Sequence, residues 1–180
     1  MTTNYSDIHR DIIEKSKKGD IKAQFKLYNL YSKAMFNICL RMMNNREEAE
    51  DMLQEAFSEA FDKLHYFRFE SSFGAWLKRV VVNKCINQIK KKKVELVLSE
   101  EILKYERIEE TDEREIAYDI NKINKAIQQL SDGFRVVFTL YLMEGYDHQE
   151  ISEILGISES TSKSQYLRAK RKLKEILTSM

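Results

Sequence analysis

The amino-acid sequence predicts an all-α protein of two small helical domains joined by an acidic linker, and three observations lead to this fold class. The 180 residues include no proline and only five glycines, which leaves few of the turn residues that sheet-based folds need. Leu, Ile, Lys, Glu, Gln and Ala are frequent and favour helix. Hydrophobic residues make up 43% of the chain and charged residues 33%, a composition that supports a packed core beneath a charged surface.

The first domain is predicted over residues 11–93 and begins with two helices. Asp20 is a suitable N-cap for a helix over residues 21–43, in which apolar side chains recur at i, i+3 and i+4. Asn45, with Glu48 three residues later, forms a capping pair for a second helix whose apolar residues keep the same spacing. The other side of this second helix carries a polar stripe that includes Asp51, Gln54 and Glu55.

An aromatic segment and a third helix complete the first domain. The segment over residues 65–73 reads HYFRFESSF and interrupts the helical spacing, and the third helix is expected over about residues 72–92. Trp76, Leu77 and Val80 follow helical spacing against the first two helices and are predicted to be core residues. Three helices therefore account for the first half of the chain.

Charge is distributed unevenly along the chain, although the formal net charge is only +1. Residues 93–119 contain ten acidic and four basic side chains and show weak helical spacing, so residues 94–119 are predicted to form an acidic linker. Basic regions at residues 84–92 and 163–174 flank it. The second domain is predicted over residues 120–178.

The second domain is predicted to end in a helix-turn-helix. After a first helix and a helix opened by Ser131, Asp147 with Glu150 opens a short helix that ends at Gly156, and Ser158 opens the last helix. A short helix, a tight turn on Gly156 and a longer helix have the dimensions of a motif whose second helix enters the DNA major groove.

The last helix carries small polar side chains that can approach base edges and basic side chains that suit phosphates. The residues that fit this requirement are Ser160, Thr161, Lys163, Ser164, Gln165, Arg168, Lys170 and Arg171. The alternative is a solvated amphipathic helix in a bundle. The compact turn and the excess of bases favour DNA binding.

Several classes of protein are disfavoured. No apolar run approaches the roughly 18 to 20 residues of a membrane span. The N-terminal residues contain no cleavable hydrophobic segment, so the chain is expected in the cytoplasm. Cys39 and Cys85 lie in apolar helical stretches, without a second Cys or His at metal-ligand spacing, and are predicted to be buried thiols. No cofactor, metal site or small-molecule substrate is implied.

Two segments together resemble one known family. The segment AEDMLQEAF, followed by FRFESSFGAWLKRVVVNKCINQIKKKK, strongly resembles regions 2.2 to 2.4 of the extracytoplasmic-function sigma factors, and the C-terminal segment resembles their region 4. The resemblance covers most of the chain, in the family's order. It implies a non-enzymatic factor that binds core RNA polymerase and directs it to particular promoters, opening the −10 element with region 2 and reading the −35 duplex with region 4.

The resemblance also implies residue roles. The second helix would bind a basic coiled-coil of the polymerase β′ subunit through Asp51, Gln54 and Glu55, whereas the stripe alone would fit a solvated face equally well. The aromatic loop and the third helix correspond to the element that melts and reads −10 DNA, where a base leaving the stack needs a pocket and stacking partners. The residues implied there are Phe67, Arg68, Phe69, Glu70, Ser71, Ser72, Lys78, Arg79, Asn83, Lys84, Asn87, Lys90 and Lys91.

The last helix departs from the common family wording in one informative way. Where many members read G-T-V-K-S-R-L-H-R-A-R, this chain has Gln165 in place of an arginine, which removes one cation. No particular −35 base preference therefore carries over.

The family further implies contact with the polymerase β subunit, promoter DNA as ligand, and an anti-sigma factor that is often membrane-anchored.

Two other functions compete with this interpretation. A helix-turn-helix transcription regulator acting independently of holoenzyme formation would explain residues 120–177, but not the aromatic loop and the helix bearing Asn and Lys. An enzyme, such as a phosphotransfer protein using His65 or an Asp/Glu pair, would need a nucleophile, a base and an orienting residue, or a glycine-rich phosphate loop. The sequence offers neither arrangement.

Overall fold

The computed structural model describes residues 8–96 and 120–179, and helices are the only regular elements in these two stretches. The first stretch contains α1 (Arg10–Lys17), α2 (Ile21–Met43), α3 (Arg46–Asp62), a 3-10 turn at Leu64–Tyr66 and α4 (Phe73–Leu96). The second contains α5 (Ile120–Gln128), α6 (Asp132–Phe138), a π-helical turn at Thr139–Met143, α7 (His148–Leu155) and α8 (Glu159–Ser179). The all-α prediction is confirmed.

The N-terminal ends of α2 and α3 form where the sequence predicts them. The Asp20 carboxylate accepts hydrogen bonds from the backbone N–H groups of Lys22 at 2.9 Å and Ala23 at 3.1 Å, which satisfies two donors that a helix start leaves unpaired. The side-chain oxygen of Asn45 accepts from the N–H of Glu48 at 3.1 Å. The short connection between the two helices brings α2 and α3 into extensive contact.

The core of the first domain lies between α2, α3 and α4 and is rich in aromatic side chains. The Phe73 ring lies 5.1 Å from the Tyr31 ring and 5.8 Å from the Phe67 ring, measured between centroids. Leu77 is fully buried, and Trp76 and Val80 pack against the buried cluster. The core assignment of these last three residues is confirmed.

Both cysteines are free and fully buried, as predicted. The Cys39 thiol of α2, followed by burial, raises the pKa of the Cys85 thiol of α4. A protonated, buried thiol is a poor nucleophile and packs as a small apolar side chain. The pair therefore belongs to the α2–α4 contact.

The first domain contains one helix more than the three predicted. Helix α1 has only eight residues, and His9 at its N-cap makes no side-chain capping bond, so the sequence carries no clear start for it. It is stabilised by tertiary packing, because Ile13 is fully buried and the Lys17 ammonium donates to the Phe67 carbonyl at 2.5 Å.

The second domain has its own buried cluster between α5, α6 and α8. Ala169, Leu173 and Ile176 lie on one side of α8 and pack with Leu130 and Phe138. Their spacing leaves the opposite side of α8 exposed to solvent. The predicted helix after Ser131 is present as α6 and the π-helical turn.

The two domains pack against each other. Val137, Leu140 and Ile151 of the second domain belong to the same buried cluster as the core of the first domain. The Asn44 side-chain amide donates to the Gln128 carbonyl at 3.0 Å. The contact therefore combines apolar burial with hydrogen bonds that fix its geometry.

The connection between the domains is described only at its start. Helix α4 extends to Leu96, three residues past the predicted domain end at residue 93. Of the acidic linker predicted over residues 94–119, residues 97–119 lie outside the described residues.

Candidate nucleic-acid interface

Helices α7 and α8 form the predicted helix-turn-helix. The Asp147 carboxylate accepts from the Glu150 N–H at 2.8 Å, and the Glu150 carboxylate accepts from the Asp147 N–H at 2.9 Å, which completes a capping box. Gly156 ends α7 at a φ of 69°, a left-handed conformation that glycine adopts without strain. The Ser158 hydroxyl accepts from the Thr161 N–H at 3.1 Å and starts α8.

A contact between the two helices fixes the angle of the motif. His148 Nδ1 lies 2.9 Å from the hydroxyl oxygen of the fully buried Ser162, and the His148 ring stacks on Tyr141 with centroids 4.3 Å apart. Burial, followed by the positive charge of Lys163, lowers the pKa of His148. The imidazole is therefore neutral near pH 7 and acts in packing.

The residues predicted on α8 for DNA contact do not all have the same exposure. Ser160, Lys163, Lys170 and Arg171 are exposed, whereas Thr161, Ser164, Gln165 and Arg168 are partly buried. Lys163 pairs with Glu159 at 2.6 Å along the helix, and such an exposed pair is weak enough to be exchanged for a phosphate. The exposed side of α8 thus carries most of its cations.

Leu167 is a further member of this exposed side that the sequence analysis omits. Half of its side chain is exposed, in the middle of the basic surface. Only the packing of α8 shows that this apolar side chain points away from the core.

Helix α4 exposes two amides one helical turn apart. Asn83 and Asn87 are both exposed, and so are Arg79, Lys90 and Lys91 on this helix. Lys78 is partly buried. Amide groups can donate to and accept from bases, and the cations suit the adjacent phosphates.

Lys84 has a different environment from the other predicted residues of α4. Its ammonium lies 2.9 Å from a Glu59 carboxylate oxygen and 3.6 Å from a Glu55 oxygen, both on α3. The hydrogen bond to Glu59 raises the pKa of Lys84, and hydrogen bonds from Lys63 and then Lys84 lower the pKa of Glu59. Lys84 therefore links α3 to α4 in this structure.

The aromatic loop between α3 and α4 has one face in the core. The Phe67 ring is only 4% exposed and packs on Phe73 and Trp76, which corrects the expectation that Phe67 lines a surface pocket. The alternation of polar and aromatic residues in this segment does not indicate which aromatic ring points into the core. The neighbouring Phe69 is partly exposed and has a φ of 58°, a conformation that is uncommon for an aromatic residue.

Two cations from α1 lie over the exposed loop ring. Arg10 Cζ is 4.4 Å and Lys17 Nζ is 4.6 Å from the Phe69 centroid, within range of cation–π attraction. The sequence gives no signal for either contact, because α1 has no capping side chain at its start. Of the other loop residues, Arg68 and Glu70 are exposed and Ser71 is partly buried, whereas the Ser72 hydroxyl accepts from the Ala75 N–H at 3.2 Å and starts α4.

The predicted polymerase-binding stripe on α3 is exposed. Asp51, Gln54 and Glu55 point to solvent, and the other side of the helix is buried. Gln54 borders a surface hollow of about 390 Å³ between α2 and α3. The hollow is lined by Tyr28, Ser32, Lys33, Phe36, Arg46, Glu50, Leu53 and Gln54.

Neither a metal centre nor a membrane span is found in the described part of the chain. Over residues 8–96 and 120–179, no three His, Cys, Asp or Glu side chains come together to hold a metal ion. In the same stretches, every helix is too short or too polar to cross a bilayer.

The second domain ends in a helix-turn-helix with a basic exposed side, and the first domain exposes amides and cations along α4. Together these features define a bipartite DNA-binding protein. Residues 27–94 match the family Sigma-70 region 2, and residues 120–173 match Sigma-70, region 4. The chain is 32% identical over 178 residues to the ECF RNA polymerase sigma factor SigW of Bacillus subtilis, a match covering 92% of this chain and 94% of that protein. This chain belongs to the extracytoplasmic-function sigma factors, which act in promoter-directed transcription initiation.

Other relatives agree with this assignment. The ECF RNA polymerase sigma factor SigM of Bacillus subtilis is 28% identical over 153 residues, covering 83% of this chain and 92% of that protein. The fold resembles that of the sigma factor RpoE in complex with the anti-sigma factor NepR from Bartonella quintana, with a TM-score of 0.57, 24% identity and coverage of 88% of this chain and 98% of that chain. It also resembles CnrH in complex with the cytosolic domain of CnrY, with a TM-score of 0.56, 20% identity and coverage of 96% and 99%.

Proposed function

We propose that α3 is the surface through which this sigma factor binds core RNA polymerase, at a basic coiled-coil of the β′ subunit. The observation that carries the proposal is the exposure of Asp51, Gln54 and Glu55 on a helix whose other side is buried. An acidic, hydrogen-bonding surface is complementary to a basic partner and guides its approach. The hollow beside Gln54 offers apolar area from Tyr28 and Phe36 to the same partner.

Replacing Asp51, Gln54 and Glu55 together with Ala tests this surface. Exposed substitutions usually change the free energy of unfolding by no more than about 0.5 kcal/mol each, so the variant is expected to fold. It is expected to lose holoenzyme formation, measured by co-elution with core polymerase. Glu175→Ala, an exposed acidic position on α8, is the control and should bind normally. Normal core binding by the triple variant would remove α3 from the interface.

The −10 element is proposed to bind the aromatic loop and α4. Exposed Asn83 and Asn87 can read unstacked bases, and the Phe69 ring with its two cations offers a stacking surface. The buried Phe67 would support this loop from beneath. Lys84 would brace α4 against α3 unless DNA draws it away from Glu59.

The −35 element is proposed to bind α8 in the major groove. Ser160, Lys163, Lys170 and Arg171 supply exposed polar and basic groups, and Thr161, Ser164, Gln165 and Arg168 border them. Leu167 adds an apolar group that suits the methyl of thymine. The second domain would also contact the polymerase β subunit.

Partners and setting follow from this role. We infer that the polymerase performs catalysis while this chain supplies binding energy and strand separation, and that it acts in the cytoplasm beside promoter DNA. An anti-sigma factor is proposed as a further partner, in line with the complex of RpoE with NepR. Sequencing the transcripts that core polymerase makes with and without this chain tests the promoter-directing role, and identical transcript sets would contradict it.

A further inference from the structure

Helix α1 turns one side toward the aromatic loop, and this side carries two cations. Arg10, Ile13 and Lys17 are spaced i, i+3 and i+7, which places them on the same side of the helix. Ile13 is fully buried, so this side is fixed against the first domain. Arg10 is exposed and Lys17 is partly buried, and both side chains reach the Phe69 ring. The two charges therefore have defined positions at the loop.

Neither cation is paired with a carboxylate in the part of the chain that the structure describes. Arg10 Cζ lies 4.4 Å and Lys17 Nζ lies 4.6 Å from the centroid of the Phe69 ring. Lys84, in contrast, has its ammonium 2.9 Å from a Glu59 oxygen. A cation that lies against an aromatic ring keeps its full charge, so an anion can still bind to it.

The loop backbone next to these cations has an unusual conformation. Phe69 has a φ of 58°, a left-handed value that is uncommon for an aromatic residue. Such conformations persist only where surrounding contacts hold them, and they are concentrated at ligand-binding sites. Here the Lys17 ammonium donates to the Phe67 carbonyl at 2.5 Å, and the Phe67 ring is buried in the core. These contacts fix the loop and leave the Phe69 ring partly exposed.

A fixed, partly exposed ring beside unpaired cations fits a nucleotide of single-stranded DNA. Sites for single strands stack a base on an aromatic ring and place basic side chains along the phosphate backbone. The region also has the sign of charge that this ligand needs. Helix α1 carries three basic and two acidic residues, and Arg68 and Glu70 of the loop cancel each other in formal charge. A base inside a duplex is already stacked, so the melted strand is the form that this surface suits.

We propose that Arg10 and Lys17 bind the backbone phosphates next to a base captured at the aromatic loop, so that α1 is part of the −10 DNA surface. The proposal rests on the proposed −10 role of the loop and α4, and it extends that role to a helix that reads no base. Phosphate contacts position a strand without regard to its sequence. Arg10 and Lys17 therefore add affinity and hold the strand, while Asn83 and Asn87 read bases.

The salt dependence of DNA binding distinguishes a phosphate contact from packing of the loop. The probe is a duplex with a pre-melted bubble of mixed sequence at the −10 position, bound by holoenzyme at several salt concentrations. Each contact with a single-strand phosphate contributes roughly 0.7 to the slope of log K against log salt. Arg10→Gln and Lys17→Gln should therefore each make the slope shallower by about 0.7 and weaken binding about fivefold at about 0.1 M salt.

Two variants serve as matched controls. Lys15→Gln removes the same charge from an exposed position on another side of α1, so it should leave both slope and affinity unchanged. Lys17→Arg keeps the charge and should keep the slope. Lys17→Gln also loses the bond to the Phe67 carbonyl, whereas Arg10 contacts the loop only through the Phe69 ring among the described residues. Weaker binding with an unchanged slope in both Gln variants would show loop packing and overturn the proposal.

Neutral methylphosphonates, placed one at a time in the non-template strand of the bubble, locate the contact. Removing a phosphate charge together with its cation should weaken binding no more than removing either one alone. Arg10→Gln and the unsubstituted chain should therefore bind equally well to the template that lacks the contacted charge. Losses that add at every position of the strand would overturn the proposal.

Phe69→Gly and Asn83→Ala separate this contact from the −10 role on which it rests. Glycine adopts a φ of 58° without strain, so Phe69→Gly removes the ring and keeps the loop backbone. If these two variants weaken binding to the bubble while Arg10→Gln and Lys17→Gln do not, only the α1 contact is wrong. If none of the four variants weakens binding, the −10 role of the loop and α4 is wrong as well.

Discussion

Asn83→Ala is the sharpest test of how α4 reads the −10 element. Asn83 is exposed, and no hydrogen bond or ion pair of its side chain is seen among the described residues. Its replacement should change the free energy of unfolding by about 0.5 kcal/mol at most. A good bidentate base contact contributes roughly 1 to 3 kcal/mol of discrimination, which corresponds to about 5- to 150-fold in preference among bases.

The assay is transcription by holoenzyme from duplex and pre-melted promoters with each base at the −10 positions. If Asn83 captures an unstacked base, Asn83→Ala should lose activity and base preference on both templates. If it only assists opening, the pre-melted template should restore activity. Asn29→Ala, at an exposed asparagine of α2, is the control. An Asn83→Ala enzyme that keeps the original −10 preference on both templates would refute a reading role for this asparagine.

Three further predictions concern the linker, the turn of the helix-turn-helix and the α3–α4 contact. Replacing four acidic linker residues with Lys should impair transcription or raise non-specific DNA binding, because the negative charge of the linker repels DNA phosphates. If both transcription and non-specific DNA binding are unchanged, the linker acts only as a spacer. The four acids are Glu109, Glu110, Asp112 and Glu113. Gly156→Ala should destabilise the chain by about 1 to 2 kcal/mol in thermal unfolding, because a left-handed φ of 69° strains a residue with a Cβ. The added Cβ would meet no close contact among the described residues, where Lys90 Nζ at 4.0 Å is nearest, so unchanged stability would show that the turn relaxes. The pKa of Glu59 is lowered in the folded state, so its contribution to stability is present above the ordinary pKa of 4.5 and is lost as pH falls through the folded value. The stability difference from Glu59→Gln should therefore shrink below about pH 4.5, and a pH-independent difference would contradict the ion pairs of Glu59 with Lys63 and Lys84.

Local rules account for most of the helix boundaries in this protein. Asp20, Asn45 and Asp147 were predicted as caps from residue type and spacing, and each accepts the expected backbone hydrogen bond. Gly156 ends α7 as predicted. These features depend on residues within four positions of each other, so the chain specifies them without reference to distant contacts.

The helix α1 and the loop it contacts could not be predicted in the same way. Helix α1 lacks a capping side chain and is held by burial of Ile13 and by Lys17, which donates to a carbonyl fifty positions along the chain. Phe67 rather than Phe69 turns inward, where its ring packs on Phe73 and Trp76. Short helices without caps are decided by tertiary packing.

The sequence by itself determined the all-α class, the two helical domains, the helix-turn-helix and the residues that resemble those of sigma factors. Periodicity, caps and local motifs are properties of neighbouring positions, so they can be recognised in the sequence before the tertiary structure is known. Only the tertiary structure decided that Lys84 is bound to Glu59, that Leu167 is exposed and that Glu144 lies between Arg41 and Lys78. The last contact joins residues about a hundred positions apart, and its partners are chosen by how α2, α4 and the second domain pack. No local sequence pattern indicates these ion pairs, because each of the charged residues alone would fit an exposed helix surface equally well.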